Sequence, residues 1–348
     1  MADVRLVGPE IWQIDVEEDG EAARSAAYLV RGERGSALIE TGTQPRVPLL
    51  IEGLAATGLD PEQLDWLVVT HVHLDHAGGA GELMQHLRRP VLLTHTRGRR
   101  HMIDPSRLWE SARIVYGSEL LEHIFGRPVP VAAERVRSVS DGERLDLGGR
   151  ELRFLETEGH SRHHICVADS ASRGLFSGDT AGIRYGDYLR NTPTGAEEYI
   201  LPTTTPNQFD PEALAATTRR LLREGFEVIF YTHFGASRQV RDNLERNASL
   251  ATLWTELAGA ALGAAGLRVP SLEAPTLEAP SLDEATAVVR EALAAWLRQD
   301  MAGWGIAPPY ETTRPFRVDL PLNAMGLADY LLKRRATAQD AAEGTGAS

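Results

Sequence analysis

Thr70-His71-Val72-His73-Leu74-Asp75-His76-Ala77-Gly78-Gly79 packs three histidines and an aspartate into six positions. The stretch follows Leu67-Val68-Val69, an apolar run that suits a strand covered on both faces. His71 and His73 are two apart, so they point the same way while the backbone stays extended. Asp75 and His76 fall where the chain turns into a helix. Divalent metals take imidazole nitrogen and carboxylate oxygen at about 2.0–2.2 Å. A lone histidine reads as an ordinary surface or core residue, and a lone Asp75 as a helix cap. Four such residues crowded at one strand end read as metal ligands.

Three later stretches repeat the pattern of apolar strand, ligand-capable residue and nearby glycine. His160 lies in Thr157-Glu158-Gly159-His160-Ser161-Arg162-His163-His164, after the alternating strand 151–155. Asp179 lies in Phe176-Ser177-Gly178-Asp179-Thr180, and His233 in Tyr231-Thr232-His233-Phe234-Gly235. Ligands arriving from several strand ends onto one edge of a layered α/β structure build many open-sheet sites.

Outside these stretches, the 348 residues are 43% hydrophobic and 24% charged, ordinary for a globular chain. The net charge of −13 repels phosphate backbones, so no nucleic-acid partner is expected. Arg97, Arg99, Arg100 and His101 form the one basic patch and read as a solvated helix end. The single cysteine, Cys166, excludes an intramolecular disulfide and reads as a small core residue. The start, Met1-Ala2-Asp3-Val4-Arg5, lacks a basic-then-apolar leader, and no window approaches about 18 uninterrupted apolar residues. No membrane partner and a cytoplasmic location are therefore expected.

Strands are expected over 4–16 and 25–42, with a hairpin turn at Arg31–Gly35, and again at 65–70, 90–94 and in short pieces over 134–178. Helices are expected over 47–57, 80–87 and 211–223, and in pieces over 96–126. Residues 181–206 have little periodicity and read as a binding loop. Residues 226–231 form the last strand. Beyond 236 the pattern is helical, with a Pro-rich linker at 269–281 and a capping box at Ser281 and Glu284. This gives a catalytic domain over 1–236, a helical C-terminal region over 237–336 and a disordered tail over 337–348.

The ordered set T-H-x-H-x-D-H, G-H, G-D and a final histidine resembles the metallo-β-lactamase-fold superfamily over residues 4–236. The resemblance implies an α/β fold: a four-layer αββα sandwich with two divalent metals at the edge of its sheets. It implies His71, His73 and His160 on one metal, Asp75, His76 and His233 on the other, and Asp179 between them. That set leaves a place for a shared hydroxide, oriented by Asp75, because metals lower the pKa of water to ~7. Zinc is the expected metal, and iron or manganese also suit the ligands. Glu40 stands where many members carry aspartate and is expected to support the ligand loops. Glu158 replaces the family's usual proline. His164 reads as a supporting residue. His163 is given no role, and His86, His95, His101 and His123 read as ordinary histidines, His95 being nearest the site.

The wording of the first motif and the His160-to-His164 spacing are similar to the glyoxalase-II and lactonase branches, and Leu322–Leu327 is similar to other hydrolases of the superfamily. A small-molecule substrate and cleavage of an ester, thioester or lactone are implied. The alternatives are a mononuclear iron, persulfide-dioxygenase-like oxidoreductase or a phosphodiesterase. The charge argues against the RNA-processing branch, and retention of His73 and His76 against the flavodiiron branch. Arg184, Tyr185 and Tyr188 in the 181–206 loop are the expected substrate contacts. Trp254, Trp296 and Trp304 are expected to form a homo-oligomer interface or cover the mouth of the site.

Overall fold

The computed structural model describes residues 2–189, 198–267 and 280–345. The first half holds β1 (Val4–Gly8), β2 (Ile11–Asp15), β3 (Ala26–Arg31), β4 (Ser36–Ile39), α1 (Val47–Ala56), β5 (Trp66–Val68), α2 (Leu74–Ala77), α3 (Ala80–His86), β6 (Val91–His95), α4 (Thr96–Ile103), α5 (Ser106–Tyr116), α6 (Ser118–Phe125) and β7 (Val136–Val139). Its seven strands form one sheet in sequence order, antiparallel up to β4 and parallel from β4 to β7. The second half holds β8 (Arg144–Asp146), β9 (Glu151–Glu156), β10 (Ile165–Asp169), β11 (Gly174–Phe176), β12 (Ile183–Arg184), α7 (Gly186–Leu189), β13 (Ile200–Leu201), α8 (Pro211–Glu224), β14 (Val228–Tyr231) and β15 (Gly235–Ser237). Six of its strands form a second sheet in the order β15-β14-β11-β10-β9-β8.

The side-chain period of two along each strand sorts residues between layers. Tyr28, Val30, Ile39 and Val68 of the first sheet meet Phe154, Val167, Phe176 and Phe230 of the second in one core. Leu29, Leu38 and Leu67 point the other way, onto Leu50, Leu54 and Leu83 of α1 and α3. Leu155, Leu175 and Ile229 face Leu221 of α8 and Leu244 of the following helix. The result is a helix–sheet–sheet–helix sandwich, the four layers the motif order implies. Cys166 lies fully buried in the last of these cores, and burial pushes its thiol up to about 12.

The sheets are joined at one edge by backbone hydrogen bonds. Ile165 N donates to Thr70 O at 2.8 Å, and Ala26 N to Thr232 O at 2.8 Å. β9, β11 and β14 run the same way, so the residues after each arrive at this edge.

Three long helices follow: α9 (Val240–Ala264), α10 (Leu282–Gly303) and α11 (Leu320–Thr345). Ser281 and Glu284 form the capping box at the start of α10. The Pro-rich linker lies almost wholly outside the described residues. Several expectations change here. β15 crosses the proposed boundary at 236. α11 runs on to Thr345, through the segment read as a tail; its one proline, Pro321, sits in the first turn, where a missing N–H is tolerated. The 181–206 loop contains the β12–β13 pair and α7. Tyr185, Tyr199, Leu201 and Leu214 share a single core with Trp254, Leu293, Leu297 and Leu327, so the helical region is built into the sandwich. The tryptophans are used in this packing: Trp254 lies 5.5 Å from Trp296 and Trp304 5.6 Å from Tyr199, between ring centroids. Trp254 is buried there, and Trp296 and Trp304 are partly buried. No described helix is long and apolar enough to cross a membrane.

Candidate metal centre

Each ligand-bearing segment follows a strand, and glycines shape the turns before His160 and Asp179. Gly178 adopts φ +49, and a Cβ there would come within 2.5 Å of His164 Nε2 and 2.6 Å of Thr70 Oγ1. Gly159 adopts φ +139 with the backbone of Leu214 against it, where a Cβ would come within 2.5 Å. Only glycine fits both turns, which explains the glycine before Asp179 and before His160.

Seven side chains predicted from sequence converge at the sheet edge. His71, His73 and His160 bring three ring nitrogens together, His71, His76 and Asp179 form a second group, and Asp75, His76 and His233 a third, all within 4.8 Å inside each group. His71 and His76 belong to two groups each, so the three groups form one continuous cluster.

The hydrogen bonds around the rim fix the tautomers. Thr70 Oγ1 donates to Glu40, so it accepts from His71 Nδ1, 3.1 Å away. Thr203 Oγ1 donates to Asp179 O at 3.2 Å and accepts from His160 Nδ1 at 2.8 Å. His76 Nδ1 donates to Glu40 Oε1 at 2.9 Å, and His233 Nδ1 to Arg24 O at 3.2 Å. All four rings therefore hold their N–H outward and turn Nε2 inward. His73 instead turns Nδ1 inward, 2.8 Å from His71 Nε2 and 3.1 Å from His160 Nε2. Three nitrogen lone pairs thus face one another. His76 Nε2 and Asp179 Oδ1, 3.1 Å apart, are buried without a hydrogen bond. Groups this costly to leave unsatisfied fit a cation between them.

The electrostatics divide the cluster in two. Burial, then the neighbouring His76, keep His71 neutral, and burial with His160 pushes His73 down to about 3. Burial opposes charge on His76 and His233, but Asp179 and Asp75 outweigh it, raising His76 well above its ordinary value and His233 to about 9. The same pairings overcome burial at Asp75 and Asp179 and hold both carboxyls below the usual carboxylate range.

His164 is fully buried, accepts from Asp179 N through Nε2 at 3.1 Å, and contacts Thr157 Oγ1 through Nδ1 at 2.8 Å, so it fixes the Asp179 turn. His95 is turned away, accepting from Arg97 N at 3.0 Å at the start of α4. Two of the expected substrate contacts are buried. Arg184 is 8% exposed and reaches Phe234 O and Glu198. Tyr185 is 1% exposed and donates to Asp319 at 2.6 Å. Tyr185 lies in the core it shares with the C-terminal helices. The side chain of Tyr188 lies outside the described residues. The basic patch is corrected: Arg97 pairs with Glu158 and Arg99 donates to Val136 O and Ala133 O, while Arg100 and His101 face a cavity. Thr203, Thr205, Arg24 and Ser25 were not legible as site residues, since each contributes through one hydrogen bond or a carbonyl and none follows a spacing rule.

Comparison with known proteins agrees with this architecture. The chain is 27% identical over 215 residues to the metallo-beta-lactamase fold-containing protein ST1585 of Sulfurisphaera tokodaii, covering 61% of this chain and 73% of that one. It is 32% identical over 174 residues to the human acyl-coenzyme A thioesterase MBLAC2, covering 45% and 58%. It is 27% identical over 153 residues to a hydroxyacylglutathione hydrolase of Rhodopseudomonas palustris, covering 44% and 46%. The match thus spans only about half of the latter two proteins. The crystal structure of TTHA1429 from Thermus thermophilus superposes with a TM-score of 0.60 at 20% identity over 89% of both chains, which shows a common fold. The sequence profile of the metallo-beta-lactamase superfamily matches residues 21–233, and the chain belongs to that superfamily.

Proposed function

We propose that this chain is a metal-dependent hydrolase acting on carboxylic thioesters or related esters and lactones, with two divalent ions. His71, His73 and His160 would hold one ion, Asp75, His76 and His233 the other, and Asp179 would face both. Such ions supply Lewis acidity, lowering the pKa of water and polarising a carbonyl oxygen. Asp75 Oδ2, 3.4 Å from His233 Nε2 and 3.6 Å from His76 Nε2, is the most exposed carboxylate of the set, and it would accept the water proton. Glu40 fixes the His76 ring, and Thr203 the His160 ring, so neither need reorient during turnover. The similarity to proteins named as a thioesterase and a hydroxyacylglutathione hydrolase supports the thioester preference.

The observation that carries this reading is the group His71, His76 and Asp179, which joins the three-histidine group to the Asp75 group. The complete second group favours two ions over the single iron of the oxygenase alternative, and the mixed imidazole and carboxylate donors suit zinc. Elemental analysis of the purified protein, with a screen of thioester, ester, lactone, β-lactam and phosphodiester substrates, tests it. About two zinc ions per chain and thioester cleavage abolished by chelation are expected. One iron per chain with sulfide-dependent oxygen uptake would overturn it.

A further inference from the structure

Beside the cluster lies a cavity of about 570 Å³ lined by Arg97, Arg100, His101, Glu158, Arg162 and His163. His163 forms the wall between the two: its ring centroid is 5.7 Å from that of His73 and 6.2 Å from that of His71. Inside the wall are the inward-facing nitrogens, and outside it are three guanidinium groups. The volume falls in the range of small-ligand sites.

The charges on this wall are unbalanced. Arg97 donates to Glu158 Oε1 at 2.7 Å and to Arg162 O at 3.0 Å, which holds it against the loop that carries His160. Arg100 donates through Nε to His101 Nε2 at 3.2 Å. Among the described residues no carboxylate pairs with Arg100 or Arg162, in a chain with 49 acidic and 36 basic side chains. Where acids are in excess, two guanidiniums left together on one cavity mark a place for an anion. The guanidinium fork matches phosphate and carboxylate oxygens in a bidentate way that an ammonium does not. Gln208, also at the cavity, adds an amide whose oxygen accepts from Arg162 N at 3.0 Å and whose nitrogen is 3.3 Å from His163 Nε2.

We propose that this cavity docks the anionic handle, phosphate or carboxylate, on the thiol side of the substrate while the acyl carbon lies at the metal centre. The proposal rests on the hydrolase reading above and adds the recognition element. A phosphate handle would come from a coenzyme A thioester, and a carboxylate handle from a glutathione thioester.

The test uses the full-length, metal-loaded protein. Acyl-coenzyme A, S-acylglutathione and the uncharged acyl-pantetheine, all with the same acyl group, are compared as substrates of the wild type and of Arg100→Gln/Arg162→Gln. One charged thioester is expected to be preferred over acyl-pantetheine, through KM, and the preference to fall at least tenfold in the double variant. Whichever charged thioester is preferred identifies the handle. An equal preference in the two proteins would overturn the proposal and leave the hydrolase reading standing. If the wild type cleaves no thioester, the hydrolase reading fails, and the cavity is judged by calorimetry with 3′-phospho-ADP and with S-methylglutathione. Binding of either that weakens at least tenfold in the double variant supports the cavity; binding of neither, or equal binding by both proteins, overturns it.

Discussion

Glu40 shows how much one side chain outside the ligand set controls. Its carboxylate is 1% exposed and accepts from Thr70 Oγ1, from Thr70 N at 3.2 Å, from His76 Nδ1 at 2.9 Å and from Thr232 Oγ1 at 3.2 Å. Thr70 precedes His71 and Thr232 precedes His233, so one carboxylate ties together two ligand-bearing segments and both ends of the first. An amide of the same shape has a single acceptor oxygen and a nitrogen that only donates. Oε1 takes Thr70 Oγ1, His76 and Thr232 while Oε2 takes only Thr70 N, so Glu40→Gln keeps its oxygen on the first three and sets its nitrogen against the Thr70 N–H, donor against donor, beside His71. Supporting partners of this kind are typically worth 10–100-fold in metal affinity. Chelator competition is expected to show a loss of metal affinity of about that size. Equal affinity in the variant and wild type would refute this role.

At the scale of elements, α11 is the support that lies farthest away in sequence. Asn323 Oδ1 accepts from Thr204 N at 2.6 Å, and Thr204 Oγ1 donates to Asn323 O at 2.8 Å. Gly326, one turn on, lets the helix approach so closely that a Cβ would lie 1.8 Å from Thr204 O. Thr203 and Thr205, on either side, contact His160 Nδ1 at 2.8 and 3.1 Å. Alanine is the better helix former by about 1 kcal/mol, but the overlap must move either the helix or the 203–205 loop. Gly326→Ala is expected to lower the melting temperature and, by disturbing the support of His160, to weaken metal uptake, read by thermal unfolding and metal titration. A more stable protein with unchanged uptake would show that the contact is not needed. This contact also marks the limit of what the sequence conveys. The strands and the seven convergent residues are legible because each motif is local: an apolar run, a ligand and a glycine within about ten residues. The docking of Asn323 and Gly326 onto Thr204 joins segments about 120 residues apart, and no periodicity encodes it. The bond from Tyr185 to Asp319, 134 residues on, is illegible for the same reason.

The whole sandwich is clipped at the end away from the metal cluster by another buried charge. Arg150 precedes β9 and Asp169 closes β10; their side chains are 5% and 0% exposed and meet at 2.6 and 2.8 Å. The same guanidinium donates to Pro9 O at 2.7 Å and Arg31 O at 3.1 Å, so the pair fastens the second sheet to two strand ends of the first. Burial opposes ionisation of Asp169, but the hydrogen bonds from Arg150 and Ser172 outweigh it and hold its pKa below the usual carboxylate value. A carboxyl depressed in the folded state contributes stability above its unfolded pKa of about 3.9, and loses that contribution as pH falls through the folded value. The urea midpoint of the chelated protein is therefore expected to be unaffected by this pair from neutral pH to about 5, and to drop below about 4. Asp169→Asn leaves Arg150 buried without its counter-charge, a change that costs about 3–5 kcal/mol at neutral pH. It also removes the pair's share of the acid dependence, so the two stability curves should converge as the pH falls below about 4. Parallel curves across the whole range would mean that the ion pair is not the clip, and that the apolar core and the backbone bonds at the opposite edge hold the sheets together.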